Sequence, residues 1–391
     1  MDFNHHRAEG IATAMGQNAL RFGVLGPLQI TADGNELPLG PAKQRAVLAT
    51  LLINRNRTVS IDTLIDAAWR QCPPPEARGS LHAHVSRLRR LVSSAGVDAA
   101  AVLASAQPGY RLNVRDEACD IGRFAIAQKA GIEAAAAGNF EQASGHLSAA
   151  LAEWRGPVLE DLRDFEFVDA FAAALAEDKL VTLTVRAEAE IACGRTHSII
   201  RELERLVAEN PYREPLWAQL ITGYYLAERQ YDALDAYGRL KAVLADDLGI
   251  DPGPTLRSLH QKILRQEPLD IKQAARATAK RAASTFQWRT GHGRESAVAH
   301  LRDAAGRRYA LGGTATRIGR LPDNDIVLDD DTVSRFHAVI VDTGNSLVIT
   351  DLQSANGVEV AGRRIRTSAT LADGDRIRIC GYEFTFEVGA F

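Results

Sequence analysis

The clearest pattern of apolar and polar positions lies between residues 77 and 91. Its apolar side chains recur at the spacing of one helical face, which predicts an amphipathic helix: Leu81, Val85, Leu88 and Val92. The other faces carry hydrogen-bond donors and no negative charge: Arg78, Ser80, His82, His84, Arg87, Arg89 and Arg90. Such a helix can pack on a small domain with one side and lie along a polyanion with the other. A basic helix that faces only solvent is the alternative.

Shorter elements on both sides of this helix predict one domain over residues 20–115. In chain order they are strands over 21–39 with an Asp33-Gly34 turn, a helix over 41–54, a helix over 61–69 capped by Ser60, the basic helix, and a hairpin of strands 102–103 and 110–114. This order matches a winged helix-turn-helix, in which the basic helix enters the DNA groove and the hairpin is the wing. Arg111 or Tyr110 would reach phosphate from the wing, although Tyr110 packing on the core is equally compatible with the pattern.

Residues 116–267 are rich in alanine, helical and almost free of strand signals. A turn followed by a helix start recurs with an offset of 34 between Cys193–Ile200 and Ala227–Leu234, and a third copy begins at Ala137. This period predicts stacked helix pairs of the tetratricopeptide type, with an irregular helical bundle as the alternative. Either form serves protein contacts.

Residues 268–296 are predicted to be a linker, with a partly helical segment as the alternative. Beyond it, the pattern changes to period-two alternation with frequent turns. Residues 297–391 are therefore predicted to form a β-sandwich. The predicted fold class is multidomain α+β: a winged helix-turn-helix, an all-α helical domain similar to tetratricopeptide repeats, and an all-β sandwich.

The formal net charge of −3 conceals a segregation of charge along the chain. Residues 20–115 carry 12 Lys and Arg against 6 Asp and Glu, whereas residues 116–267 carry 16 against 26. A basic segment followed by an acidic one is typical of a DNA-binding module fused to a partner-binding module.

Several classes of function find no support in the sequence. The four cysteines are scattered, and His82 and His84 lie two positions apart and point in different directions, so we expect reduced thiols and no metal site. Residues 1–19 contain no apolar run like that of a signal peptide and are predicted to be a disordered leader. No segment has the length of a membrane span, and the phosphate-loop and hydrolase motifs are absent. We expect a cytoplasmic protein that is not an enzyme and uses no cofactor.

Three motifs in the predicted sandwich resemble, in order and spacing, those of the forkhead-associated (FHA) domain family. They are Gly319-Arg320, Ser334-Arg335-Phe336-His337 and Ser354-Ala355-Asn356-Gly357. The resemblance implies a phosphothreonine-peptide site in the loops at one end of the sandwich. A guanidinium and a hydroxyl suit a dianionic phosphate.

By position in these motifs, each residue receives an expected role. Arg320 and Ser334 would hold the phosphate, Arg335 would add a second cation, and Asn356 would hydrogen-bond the peptide backbone, while the loops would be shaped by Gly319, His337 and Gly357. Ala355 stands where some family members have a hydroxyl that also contacts phosphate, so we expect modest affinity. A sandwich that has lost binding is the alternative.

The two preceding domains resemble those of Streptomyces antibiotic regulatory proteins (SARPs). The basic helix with Pro108-Gly109-Tyr110-Arg111-Leu112 is similar to their OmpR-like winged helix. The middle segment resembles their bacterial transcriptional activation domain, for example at Trp154-Arg155-Gly156-Pro157 and Leu248-Gly249-Ile250-Asp251-Pro252-Gly253. With the FHA domain added, the chain resembles a mycobacterial variant of these regulators.

The resemblance implies a transcription regulator, which we expect to be an activator. The winged helix would bind promoter DNA, and the helical domain would recruit RNA polymerase. The FHA domain would bind a phosphothreonine on a Ser/Thr protein kinase, on another protein or on a second copy of the chain. Two alternatives remain: a phospho-dependent adaptor that does not bind DNA directly, and a DNA-binding protein that does not depend on phosphorylation.

Overall fold

The computed structural model describes residues 20–69, 73–248, 250–286, 298–311, 315–322, 324–343 and 346–389. They form a winged-helix domain, a helical domain and a β-sandwich in chain order, which confirms the predicted fold class. The leader predicted over residues 1–19 lies outside the described residues. Within them, no helix is both long and apolar enough to cross a bilayer.

The N-terminal domain follows the predicted order of elements. They are β1 (Leu20–Gly23), β2 (Gln29–Ala32), β3 (Asn35–Glu36), α1 (Ala42–Ile53), β4 (Thr58–Ser60), α2 (Ile61–Trp69), α3 (Ala77–Ser94), α4 (Ala99–Val102), β5 (Leu103–Ala106) and β6 (Gly109–Leu112). Asp33 and Gly34 have φ angles of 50° and 82°, as the predicted hairpin turn requires. Ser60 Oγ accepts a 3.0 Å hydrogen bond from the backbone N of Thr63, which confirms the cap of α2. The hairpin β5–β6 gains β4 as a third strand, in the order β4-β6-β5.

The apolar stripe of α3 is buried in this domain. Leu81, Val85, Leu88 and Val92 all belong to the N-terminal core, together with Leu48 and Leu51 of α1. Burial of such a stripe fixes the rotation of the helix about its axis. The opposite, basic side of α3 is therefore held toward the surface.

The helical domain begins immediately after the wing. Its helices are α5 (Asp120–Ala137), α6 (Phe140–Ala152), α7 (Glu166–Ala192), α8 (Thr196–Glu209), α9 (Glu214–Leu226), α10 (Gln230–Leu248), α11 (Pro254–Leu264) and α12 (Ile271–Phe286). Each predicted repeat start has a residue with positive φ ahead of its helix: Gly138 at 87°, Gly194 at 79° and Glu228 at 61°. A left-handed residue ends one helix and reverses the chain into the next, so the repeated sequence encodes a repeated turn.

The linker predicted over residues 268–296 needs a correction. Residues 271–286 form α12, whose Ala275 and Ala279 are buried in a cluster with Ile132, Phe140 and Val185. Alanines spaced four apart let this helix approach α5 and α7 closely, so it belongs to the helical domain. Residues 287–297 lie outside the described residues.

The C-terminal sandwich consists of two facing sheets, ordered by their strands as follows. The first is β10-β9-β11-β12-β15 and the second β14-β13-β16-β17-β7-β8. Their bounds are β7 (Val298–Asp303), β8 (Arg308–Ala310), β9 (Ala315–Gly319), β10 (Ile326–Val327), β11 (Ala338–Asp342), β12 (Leu347–Asp351), β13 (Val358–Val360), β14 (Arg363–Arg364), β15 (Ser368–Thr370), β16 (Arg376–Ile379) and β17 (Tyr382–Gly389).

Both faces of the first sheet are buried at strands β11 and β12. Ile340 and Ile349 point into the sandwich core, whereas Val339, Val341 and Val348 join the apolar cluster that also contains residues of α7 and the winged helix. Alternate residues of β11 and β12 therefore serve two cores. This explains why Ala338–Val341 is uninterrupted in apolar character rather than alternating, as half-exposed strands would be.

Polar contacts accompany this shared core. Ser346 Oγ donates a 2.6 Å hydrogen bond to Oδ1 of Asp178, and Ser368 Oγ donates one of 3.0 Å to Oε1 of Glu177. At the other junction, both carboxylate oxygens of buried Asp120 accept hydrogen bonds from the backbone N of Val24. The three domains are thus packed into one body.

Candidate nucleic-acid interface and phosphopeptide site

The exposed side of α3 is cationic, as the sequence predicted. Arg78, Arg87 and Arg90 are exposed, and Arg111 adds an exposed cation from β6 of the wing. The guanidinium of Arg78 lies 3.5 Å from the carboxylate of Asp62, but both side chains are largely exposed, so the pair is weak. These arginines can exchange solvent for phosphate oxygens at small cost. Ser80, half-buried, lies one turn into the same helix.

Tyr110 of the wing contacts His82 of α3. His82 Nδ1 lies 2.6 Å from the Tyr110 hydroxyl, and the tyrosine ring is 8% exposed. Tyr110 therefore packs on the core, and the alternative reading of this residue is the correct one. His82 remains exposed while its ring is oriented by this bond.

The predicted phosphate contact of Arg89 needs a correction, because its guanidinium forms hydrogen bonds within the domain. Its Nε donates a 2.9 Å hydrogen bond to the carbonyl of Leu103, and one terminal nitrogen donates a 3.0 Å bond to Oγ of Ser105. The guanidinium also lies 5.6 Å from the ring centroid of Tyr110. Arg89 thus fastens the wing to α3, and its predicted phosphate contact is not supported by its position.

His84 needs a correction as well. It is 8% exposed, and its ring centroid lies 5.8 Å from that of Trp69. Burial lowers the pKa of His84, and the nearby charges of Arg87 and Lys43 lower it further. An uncharged ring inside the core cannot read base edges, so His84 leaves the set of predicted DNA contacts. Position 84 lies next to the apolar stripe of α3 on the helix surface. This position in the sequence could have indicated that His84 is buried.

In the sandwich, the three motifs come together in neighbouring loops. His337 is fully buried and connects two of them: the backbone N of Ser334 donates to its Nδ1 at 3.1 Å, so Nε2 carries the proton and donates to the carbonyl of Gly357 at 3.1 Å. His337 therefore holds the loops together, in agreement with its predicted structural role. Ser334 Oγ accepts a 3.0 Å bond from the backbone N of Ala355 and spans the same pair of loops.

Arg320 is placed beside Ser334. The backbone N of Arg320 donates a 3.0 Å hydrogen bond to the carbonyl of Ser334, which fixes the two residues next to each other. One terminal nitrogen of Arg320 lies 3.4 Å from the carboxylate of Asp331, whose side chain is fully exposed. Nε of Arg320 is buried and has no hydrogen-bond partner among the described residues. Solvent screening makes such an ion pair weak, and a phosphate dianion can displace it.

Asn356 completes the site from the third loop. Its Nδ2 donates a 2.8 Å hydrogen bond to the carbonyl of Thr332, so the exposed amide is oriented while keeping further donor and acceptor capacity. Arg335 is exposed next to Ser334. All four predicted phosphopeptide residues therefore lie on adjoining loops.

Gly319 is required by a close backbone approach and Gly357 by its left-handed backbone conformation. A Cβ on Gly319 would lie 2.4 Å from the carbonyl oxygen of Arg335. Gly357 has a φ of 75°, and a Cβ there would lie 2.4 Å from Nε of Arg364.

Arg364 is a cation at the site that the sequence analysis missed, because the β13–β14 hairpin brings it there from beyond the motif. A second missed residue is Asn324, whose Nδ2 donates a 2.9 Å bond to the carbonyl of Arg335.

These domains define a class of protein: SARP-type transcriptional regulators that carry an FHA domain. Models of three families match the chain, namely the C-terminal domain of transcriptional regulatory proteins over residues 34–112, the bacterial transcriptional activator domain over residues 119–264, and the FHA domain over residues 316–380.

Sequence and structure comparisons with known proteins show to which family of this class the chain belongs. The transcriptional regulatory protein EmbR of Mycobacterium tuberculosis is 61% identical over 375 residues, which cover 96% of this chain and 97% of the relative. The regulatory protein AfsR of Streptomyces coelicolor is 35% identical over 270 residues, 69% of this chain but 26% of that protein. A solved structure of M. tuberculosis EmbR in complex with a low affinity phosphopeptide has a TM-score of 0.91, covering 95% of this chain and 99% of that one. The chain belongs to the EmbR family of DNA-binding transcriptional regulators.

Proposed function

We propose that this chain binds promoter DNA through the exposed side of α3. Arg78, Arg87, Arg90 and Arg111 contact phosphates, and Ser80 and His82 reach base edges. The observation that supports this most directly is the buried apolar stripe of α3, which holds its cationic side outward. Arg89 acts indirectly by keeping the wing in place.

The FHA loops bind a phosphothreonine peptide. Arg320 and Ser334 hold the phosphate, Arg335 adds positive charge, and Asn356 bonds the peptide backbone. The support is the fixed Arg320–Ser334 pair, whose acidic neighbour Asp331 is weakly held in solvent. EmbR of M. tuberculosis, of known structure with a phosphopeptide, is the precedent among the relatives.

Titration of a phosphothreonine peptide and its unphosphorylated form against the full chain tests this site. The phosphorylated peptide alone should bind, and Arg320→Ala should weaken it roughly tenfold or more, since a charge-assisted bond is lost. Arg317→Ala removes an exposed arginine of the neighbouring strand β9 and should have little effect. Equal binding of both peptides, or equal loss in both variants, would contradict the proposal.

We further propose that the protein is a cytoplasmic activator, in which these two sites couple promoter binding to a Ser/Thr protein kinase. The phosphothreonine is carried by the kinase, by another protein or by a second copy of the chain, and the helical domain contacts RNA polymerase. Because the three domains share one apolar cluster, we infer that phosphopeptide binding acts by bringing partners or copies together, rather than by releasing the FHA domain. Sedimentation of the full chain with promoter DNA, with and without kinase treatment, tests this coupling. A larger complex is expected after treatment, and an unchanged complex would oppose it.

A further inference from the structure

A cavity of about 990 Å³ lies within the helical domain, away from both sites described above. It is bounded by α7, α9, α11 and α12, and Arg363 and Thr370 of the sandwich lie at its border. Its apolar walls include Leu180, Val181 and Leu259. This volume is in the range of sites that enclose a small organic ligand.

Glu188 of α7 gives the cavity its chemistry. The side chain is 6% exposed, and its Oε1 accepts hydrogen bonds from Nε2 of Gln219 at 2.5 Å and from Oγ1 of Thr278 at 3.0 Å. Its Oε2 is buried and has no hydrogen-bond partner among the described residues. A buried polar atom without a partner is costly, and in a cavity it marks a place where a ligand atom can bond.

The protonation of Glu188 indicates which ligand atom that is. Burial raises its pKa to about 8, against the smaller opposing effects of Thr278, Arg281 and Gln219, so at neutral pH the side chain holds a proton. Because Oε1 already accepts two hydrogen bonds, the proton resides on Oε2. The unpaired group is therefore a donor, and it requires an acceptor from the ligand.

The charges around the cavity favour an anionic acceptor. Two of the lining carboxylates are engaged by backbone N–H groups: Oε2 of Glu214 by Gly253 at 2.7 Å and Oδ1 of Asp270 by Gln273 at 2.9 Å. Glu177 is paired with Arg213. Glu214 and Asp270 keep their negative charges, but three cations of the lining outnumber them: Lys262, Arg281 and Arg363. Arg281 also donates a 3.2 Å hydrogen bond to Thr278, one of the two donors to Glu188.

We propose that this cavity binds a small amphipathic carboxylate, whose carboxylate group accepts a hydrogen bond from Glu188 beside Arg281 and whose alkyl part lies against the apolar walls of α7 and α11. A ligand bound here would contact both α12 and α7, the helix on which the FHA sandwich packs. The site makes the helical domain a receptor for a small molecule, separate from its contacts with proteins.

Calorimetric titration of the full chain with sodium octanoate, and in parallel with octylammonium chloride, tests the proposal. Octanoate should bind at pH 6.5 and octylammonium more weakly. Octanoate affinity should fall roughly tenfold by pH 9, because Glu188 then loses its proton and repels the ligand. Absence of octanoate binding at pH 6.5, or tighter binding of octylammonium, would overturn the proposal.

Two variants make the assignment specific to the cavity. Glu188→Gln keeps a neutral donor at this position, so it should bind octanoate with little change between pH 6.5 and pH 9. Ala274→Trp fills the cavity from an exposed position on α12 and should abolish binding. The control Glu133→Gln alters an exposed glutamate of α5 and should behave as wild type. A pH dependence that persists in Glu188→Gln would also refute the site.

Discussion

The guanidinium of Arg57 in the winged helix lies 3.1 Å from the carboxylate of Asp342 in the FHA sandwich. The two residues are 285 positions apart, and Asp342 is 6% exposed. This ion pair joins the domain that contains α3 directly to the domain that contains the FHA loops. Together with the valines of β11 and β12, it shows that the two end domains touch rather than communicating through a linker.

Loss of this ion pair should loosen the contact between the end domains. Arg57 is half-exposed, so the interaction between the two side chains should be about 1 kcal/mol. A double-mutant cycle with Arg57→Ala and Asp342→Asn, read from urea unfolding, isolates it. Strictly additive effects of the two substitutions would contradict the contact.

Arg89 and Arg90 should behave oppositely although they are adjacent. Arg89→Ala removes the bonds to Leu103 and Ser105 and should destabilise the protein by about 1–2 kcal/mol. Arg90→Ala should leave stability unchanged and weaken DNA binding for all sequences alike. Thermal unfolding and fluorescence anisotropy with labelled DNA separate the two effects. A stable Arg89→Ala variant with the DNA-binding loss expected for Arg90→Ala would restore Arg89 as a phosphate contact.

His84 should be dispensable for DNA recognition. His84→Leu replaces an uncharged buried ring with an apolar side chain and should leave the affinity for promoter DNA within about twofold of wild type. His82→Ala removes the bond to Tyr110 and a side chain at the surface, so it should weaken binding to a preferred sequence. Anisotropy titrations with specific and unrelated DNA make the comparison. A selective loss in His84→Leu would reverse our assignment.

Glu188 should make stability fall as pH rises. In the unfolded chain the carboxyl group ionises near its ordinary pKa of 4.5, whereas the native state retains the proton up to about pH 8. Its contribution is therefore complete below pH 4.5 and lost between pH 4.5 and 8, on the order of 5 kcal/mol. Glu188→Gln should abolish this part of the slope, so its stability relative to wild type should increase with pH. Urea midpoints from pH 5 to 8.5 measure it, and parallel curves would show that Glu188 is ionised in the native protein.

Sequence reasoning succeeded for features that depend on residues close together in the sequence. The stripe of α3, the Ser60 cap and the positive-φ residues at Gly138 and Gly194 follow from spacing and from the conformational freedom of glycine. The FHA motifs lie within three loops, so they could be located without knowing how the sheets pair.

Sequence reasoning failed where the partner of a side chain lies on an element that is distant in the sequence. The acceptors of Arg89 lie on β5, and the ring that covers His84 belongs to α2. Neither contact has a periodic signature in the sequence. Arg364 likewise lies against Gly357 because of a hairpin. The packing of α12 on the helical domain was not predicted, because its buried face consists of alanine. Contacts of this kind require the tertiary structure.

The most direct test of the account is the salt dependence of DNA binding by the full chain. Logarithmic affinity for a promoter fragment should fall linearly with the logarithm of salt concentration, with a slope of about 0.9 per phosphate contact. A variant carrying Arg78→Ala, Arg87→Ala and Arg90→Ala should show a slope smaller by about 2–3. Identical slopes in both proteins, or no retention of the fragment at low ionic strength, would contradict the assignment of α3 as the DNA-binding helix.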